Sequence, residues 1–154
     1  MTDDGSSPPW LESIPVLHFK TGFTTNQHIT HPFIEKLPLT DDALGVHKIS
    51  SRTSHRTVKP PEPVVGLEKP CPLPPPDTAW EACYPTGSVN PTAPIPGGFS
   101  FYLSGPDSFS RCLERGAKDV LFSYRMMLEP GWEWAKGGKL PGVCMFLHRV
   151  VIRI

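Results

Sequence analysis

No apolar run in this sequence approaches the ~18 residues that a membrane-crossing helix needs, so no such span is expected. Neither sign of charge is in excess. Fifteen Lys and Arg balance fifteen Asp and Glu, so the overall field argues for neither nucleic acid nor an anionic membrane as a partner. The opening MTDDGSSPPW is acidic and lacks the apolar core of a signal peptide. The four cysteines stand at 71, 83, 112 and 144. None makes a CxxC pair, which excludes a zinc or thioredoxin-like reading. Two disulfides in any of three connectivities, or free buried thiols, are both open. There is no G-x-S-x-G elbow, no H-E-x-x-H and no N-x-[ST] sequon. HITH (28–31) offers two histidines without a third ligand or a helical pattern, so no metal is expected there. GGK (137–139) is not a phosphate loop, because Glu133 stands where its first glycine belongs and Leu140 follows the lysine.

Proline is abundant instead. Twelve of the 20 prolines lie between Pro60 and Pro96. Each removes a backbone donor and fixes φ, so this stretch is neither helix nor central strand. KPPEPVVGLEKPCPLPPPD (59–77) reads as an insertion or spacer. The competing use is as a polyproline ligand for an SH3 or WW domain, centred on 70–76. Between Ala43 and Pro61 come Lys48, Arg52, Arg56 and Lys59 with no acid. A solvated basic face explains that better than a binding patch alone.

Periodicity supports strands and no long helix. Residues 1–36 read as a poorly ordered arm with one short strand near Val16–Phe19. In PLTDDALGVHKIS, Thr40 or Asp41 caps a short helical turn before a strand. AWEACYP (79–85) is a short strand candidate. In GGFSFYLSGP, Phe99, Phe101 and Leu103 share one face, and Ser100 and Tyr102 the other. DSFSRCLERGAK (107–118) holds a helical turn that Gly116 ends. KDVLFSYRMMLEPGW (118–132) carries the strongest strand pattern, with Val120, Phe122, Tyr124, Met126 and Leu128 on one face. That face places Tyr124 in the core. Glu129-Pro130-Gly131 then turns the chain. Short strands between Gly/Pro turns predict an all-β fold, an antiparallel β-sandwich or jelly roll.

Four blocks, PLTDDALGVHK, AWEACYPTGSVNP, GGFSFYLSGP and DVLFSYRMMLEPGWEWAKGGKLPG, come in an order and spacing that resembles the fungal family-14 polysaccharide lyases. The resemblance covers residues 37–142. KGGKLPG after a strand and a Pro-Gly turn is its most specific part, with Trp134 in the aromatic position. It implies a jelly roll and cleavage of polyuronates such as alginate or glucuronan by β-elimination, without a cofactor. That chemistry needs a cation to neutralise the uronate carboxylate as the C5 proton leaves. It also needs a base for the proton and an acid for O4. By similarity to the family's motif, Lys139 is the catalytic lysine. Lys136, Gly137, Gly138 and Trp134 are the expected substrate contacts. A lysine beside another cation has its charged form disfavoured, which suits it to act as a base. In an extended chain Lys136 and Lys139 face opposite ways; a twist at Gly137-Gly138 would bring them closer. Trp80 is assigned to the core, whereas Trp132, Trp134 and Tyr84 read equally as core or as sugar-stacking rings.

The sequence departs from the family after GGKLPG. VCMFLHRVVIRI (143–154) lacks the family's continuation, which carries an arginine and a pair of tyrosines. Three parts are therefore expected. They are an arm (1–36), a partial lyase-like jelly roll (37–143) lacking its C-terminal strands, and an accidental tail (144–154) out of the family's frame. Such a chain would be marginally folded and show little activity. The alternative function is a module that binds acidic polysaccharide through residues 48–59 and the tryptophans without cutting it. Family members are often exported, and the opening segment leaves the compartment undecided.

Overall fold

The computed structural model describes residues 18–61, 74–133, 140–146 and 149–153. Its elements run β1 (Gly22–Thr24), β2 (Ile34–Lys36), α1 (Asp41–Leu44), β3 (Val46–His47), β4 (Arg56–Val58), β5 (Ala79–Glu81), β6 (Tyr102–Leu103), α2 (Asp107–Glu114), β7 (Gly142–Phe146) and β8 (Arg149–Arg153). The strands make three small open sheets: β1-β2, β3-β6-β8-β7 and β4-β5. All pairs are antiparallel except β1-β2, which is parallel. This is a mostly-β architecture.

Local chemistry explains the two short helices. Thr40 sits in extended backbone, and its hydroxyl accepts the Ala43 N–H at 3.3 Å, which satisfies one orphan donor of α1. Asp41 and Asp42 add negative charge where the helix dipole favours it. Gly45 ends α1 in the left-handed conformation and hands the chain directly to β3. α2 has no side-chain cap and stops before Gly116, as its sequence implies. Phe109 on α2 meets Phe23 of β1 edge to face at 5.0 Å, and Ser110 Oγ donates to the Ser104 carbonyl at 2.8 Å. These contacts tie α2 to β1 and to the end of β6.

The centre is aromatic. Phe101 and Leu103 are buried, and Phe23, Val46, Trp80, Phe99 and Phe122 pack around them. Phe99 and Phe101 stack with centroids 5.4 Å apart, as the shared face required, and Trp80 meets Phe101 edge to face at 4.9 Å. Trp80 therefore takes the core role expected of it.

Of the strand expected near Val16–Phe19, residues 16 and 17 lie outside the described residues, and Phe19 lies in no strand. The strand expected over 118–132 is not found among the described residues. Residues 118–132 belong to none of the sheets. A strand exists by pairing, and alternation provides a face but not a partner. Three of the five residues of the expected face, Val120, Phe122 and Leu128, are half-buried, while Tyr124 and Met126 are exposed. Tyr124 stacks on Phe122 instead of entering the core. Within the tail, residues 144–146 and 149–153 lie in strands. β7 and β8 form a hairpin with Cys144 opposite Val151, and β8 pairs on its other side with β6, Leu103 opposite Ile152.

Candidate functional site

The block that the sequence singled out is bounded by a turn on one side and a strand on the other. Glu129-Pro130-Gly131-Trp132 closes with Trp132 N–H donating to the Glu129 carbonyl at 3.1 Å, with φ +80° at Gly131. Pro at the second position and a positive φ at the third define a type II turn. Trp132 leaves that turn against Tyr84, the rings edge to face at 5.6 Å. Both rings are exposed. At the end of the block, Leu140 is exposed and Gly142 pairs with Arg153. Lys136, Gly137, Gly138, Lys139 and Trp134 themselves lie outside the described residues.

Tyr84 is held by a glycine seat. Gly98 N–H donates to the Cys83 carbonyl at 2.8 Å, and Gly98 has φ +71°. A Cβ there would come within 2.5 Å of the Tyr84 hydroxyl oxygen. The tyrosine can therefore lie across buried backbone only because this residue has no side chain. The result is an exposed Tyr–Trp surface at the edge of the lysine-glycine block. Exposed aromatic faces of this kind are suited to stacking on sugar rings. The contact joins residues 48 positions apart, which is why motif spacing alone left both rings undecided.

A second constellation was not legible in the sequence. His55 has a side chain only 7% exposed, and its Nε2 lies 2.7 Å from Asp41 Oδ1. Its ring packs on Phe101 at 4.6 Å, Trp80 at 5.5 Å and Phe99 at 5.7 Å. Nδ1 is buried with no partner among the described residues. An Nε2 held by a carboxylate leaves only Nδ1 for chemistry, and Nδ1 cannot meet a substrate. His55 is therefore a latch between α1 and the aromatic centre. A shallow depression of about 460 Å³ lined by Ile49–His55 lies beside it. Nothing in the local sequence signals the pairing, because its members are 14 residues apart and share no motif.

The basic stretch serves the fold. Arg52 donates to the carbonyls of Thr92, Ala93 and Pro94 at 2.9–3.4 Å and closes that loop. Arg56 bonds Glu81 across β4-β5, where the two residues are directly opposite. The Glu81 carboxylate raises the Arg56 guanidinium further above its already high range. Lys48 Nζ lies 5.2 Å from the centroid of the Tyr102 ring. Cys83 and Cys112 are free thiols. Among the described residues no three His, Cys, Asp or Glu side chains gather to hold a metal ion, and no helix is long and apolar enough to cross a membrane.

The sequence model of the family Polysaccharide lyase 14 matches residues 75–146. That stretch takes in β5, β6, α2, the Tyr84–Trp132 pair, the whole WEWAKGGKLPG block and β7. It is a polysaccharide lyase 14-like region within the longer chain. No curated protein and no solved structure matches the chain.

Proposed function

We propose that the protein is a lyase that cleaves acidic polysaccharide, a polyuronate such as alginate or glucuronan, by β-elimination. Its lyase-like part spans residues 37–143 and is built toward a jelly roll. The observation that carries this reading is the family match over residues 75–146, which includes the KGGKLPG block. The exposed Tyr84–Trp132 pair beside that block supports it.

In this mechanism Lys139 takes the C5 proton. Lys136 lies against the uronate carboxylate and stabilises the charge that spreads into it as the proton leaves. Each cation disfavours the charged form of the other, which makes a neutral lysine base accessible near neutral pH. Gly137 and Gly138 allow the sugar to approach the backbone closely. Trp134, with Trp132 and Tyr84, stacks on sugar rings flanking the scissile bond. The Lys139 ammonium so formed returns the proton to O4 as the C4–O4 bond breaks, leaving a C4–C5 double bond conjugated with the carboxylate.

We further propose that the 154-residue chain by itself has low activity. The buried apolar side chains among the described residues are only Ile29, Leu44, Phe101 and Leu103, which is a slight core for holding catalytic groups rigidly.

The test is ultraviolet absorbance from the unsaturated uronate when the full chain is incubated with alginate, glucuronan and neutral polysaccharide controls. The expected result is a slow rise with a uronate polymer only, reduced ~10²-fold or more in Lys139→Ala. A rise that Lys139→Ala leaves unchanged overturns the assignment of the base. Salt-sensitive binding of the polymer with no chromophore at any enzyme concentration replaces the lyase with a binding module.

A further inference from the structure

Phe33 is the one exposed phenylalanine among the described residues, with 56% of its surface in solvent. Its backbone is pinned on both sides. Its N–H donates to His31 Nδ1 at 3.2 Å, and its carbonyl accepts the Gly22 N–H at 2.9 Å. The next residue, Ile34, pairs with Gly22 in the parallel β1-β2 ladder, and its N–H donates to the His31 carbonyl at 3.1 Å. Phe19 meets the Phe33 ring edge to face at 6.5 Å, and the His31 ring lies 5.7 Å away. A fixed turn thus holds an apolar ring out in water, so covering it with a ligand is favourable and orders little more chain.

Phe33 lines a shallow depression of about 320 Å³ together with Lys20, Thr21, Pro32 and Glu35. Two of the three charged side chains of this β1-β2 unit are engaged elsewhere. Lys36 Nζ donates to the Gln27 carbonyl at 2.8 Å and to Thr30 Oγ1 at 3.0 Å. Glu35 Oε2 accepts from Ser108 Oγ of α2 at 3.4 Å. Lys20 makes no hydrogen bond or ion pair among the described residues. An uncommitted cation therefore shares the depression with an exposed, pre-positioned ring.

We propose that this depression is an anchoring site for acidic polysaccharide, on a part of the chain that precedes the family match at 75–146. The assignment of the ligand class rests on the polyuronate reading above. A uronate residue offers an apolar C–H face and one carboxylate. The face stacks on Phe33, and the carboxylate meets Lys20. A protein partner needs about 800 Å² on each side, far more than one ring and one lysine provide.

The test measures retention of the full chain in gels containing alginate, glucuronan or a neutral polysaccharide. The parent carries Lys139→Ala, so that the polymer stays intact. Phe33→Leu keeps the apolar bulk without the ring and should weaken binding of the uronate polymer about 5-fold or more, whereas Phe33→Trp should bind at least as tightly as the parent. Lys20→Gln should weaken binding about 3-fold and reduce its salt dependence. Lys20 is exposed, so its effect is not a loss of fold. If either Phe33→Leu or Lys20→Gln binds the uronate polymer like the parent, the anchor is overturned, and a chromophore from the unmutated chain then leaves the lyase reading standing. Binding that depends on Phe33 and Lys20, with no chromophore from the unmutated chain, keeps the anchor and removes the lyase. A parent that binds no uronate polymer, or binds the neutral one equally well, overturns the anchor.

Discussion

Gly98 links the fold to the candidate site through one missing methyl group. Its φ of +71° is a conformation that side chains rarely adopt, and a Cβ would lie 2.8 Å from Tyr84 Cζ. Gly98→Ala should cost roughly 2–4 kcal/mol from backbone strain and overpacking together, read as a lower midpoint in urea unfolding. It should also displace Tyr84 from Trp132, so polysaccharide binding at a temperature where the variant is folded should weaken. Asp41 tests the latch in the same way. Its carboxylate holds His55, whereas neighbouring Asp42 lies in the same helical turn and makes no such bond among the described residues. Asp41→Ala leaves a buried Nε2 unsatisfied and should destabilise by about 1–3 kcal/mol, with Asp42→Ala near neutral. Equal effects of the two variants in denaturant unfolding would mean that only the helix dipole is at work.

At the scale of elements, the short pieces depend on their ends and on cross-links. α1 is one turn long, so its cap is a large share of what defines it. Thr40→Ala should cost about 1 kcal/mol, measurable by thermal melting, and Thr40→Ser should recover most of it. Two arginines of the basic stretch should behave differently. Arg56 is fully exposed against Glu81, so Arg56→Ala should leave the melting temperature nearly unchanged, as exposed pairs generally do. Arg52 fastens three carbonyls of the 92–94 loop, and Arg52→Ala should cost about 1–2 kcal/mol in the same measurement. The two arginines of the basic stretch thus serve the structure.

For the whole molecule the balance is narrow. Among the described residues, three small sheets share one aromatic centre, and a long alternating segment lies beside it without a sheet. Apolar burial is the main stabilising term and scales with area, so a core this slight predicts a broad transition and a low heat-capacity change for the chain's length. Differential scanning calorimetry checks this. A sharp transition with an enthalpy typical of a compact protein of this size would refute it. A hydrophobic dye should bind the native chain through the exposed Leu121, Met126 and Met127 side chains.

Some features were set by the sequence within a few residues, where no distant partner is needed. The Thr40 cap, the stop before Gly116, the Pro130-Gly131 turn and the shared face of Phe99, Phe101 and Leu103 are all of this kind. So was the resemblance carried by KGGKLPG, because a motif is a run of adjacent residues. Tertiary structure alone decided what depends on contacts across the chain. It placed Tyr84 against Trp132, His55 against Asp41 and Arg52 against the 92–94 carbonyls. It also chose which alternating segments became strands. Arg149–Arg153 found β6 and became an inner strand of a sheet, while the stronger pattern at 118–128 joined none of the sheets. Alternation records only which way side chains can point; a strand forms when a second backbone arrives to take its hydrogen bonds, and that depends on the path of the whole chain.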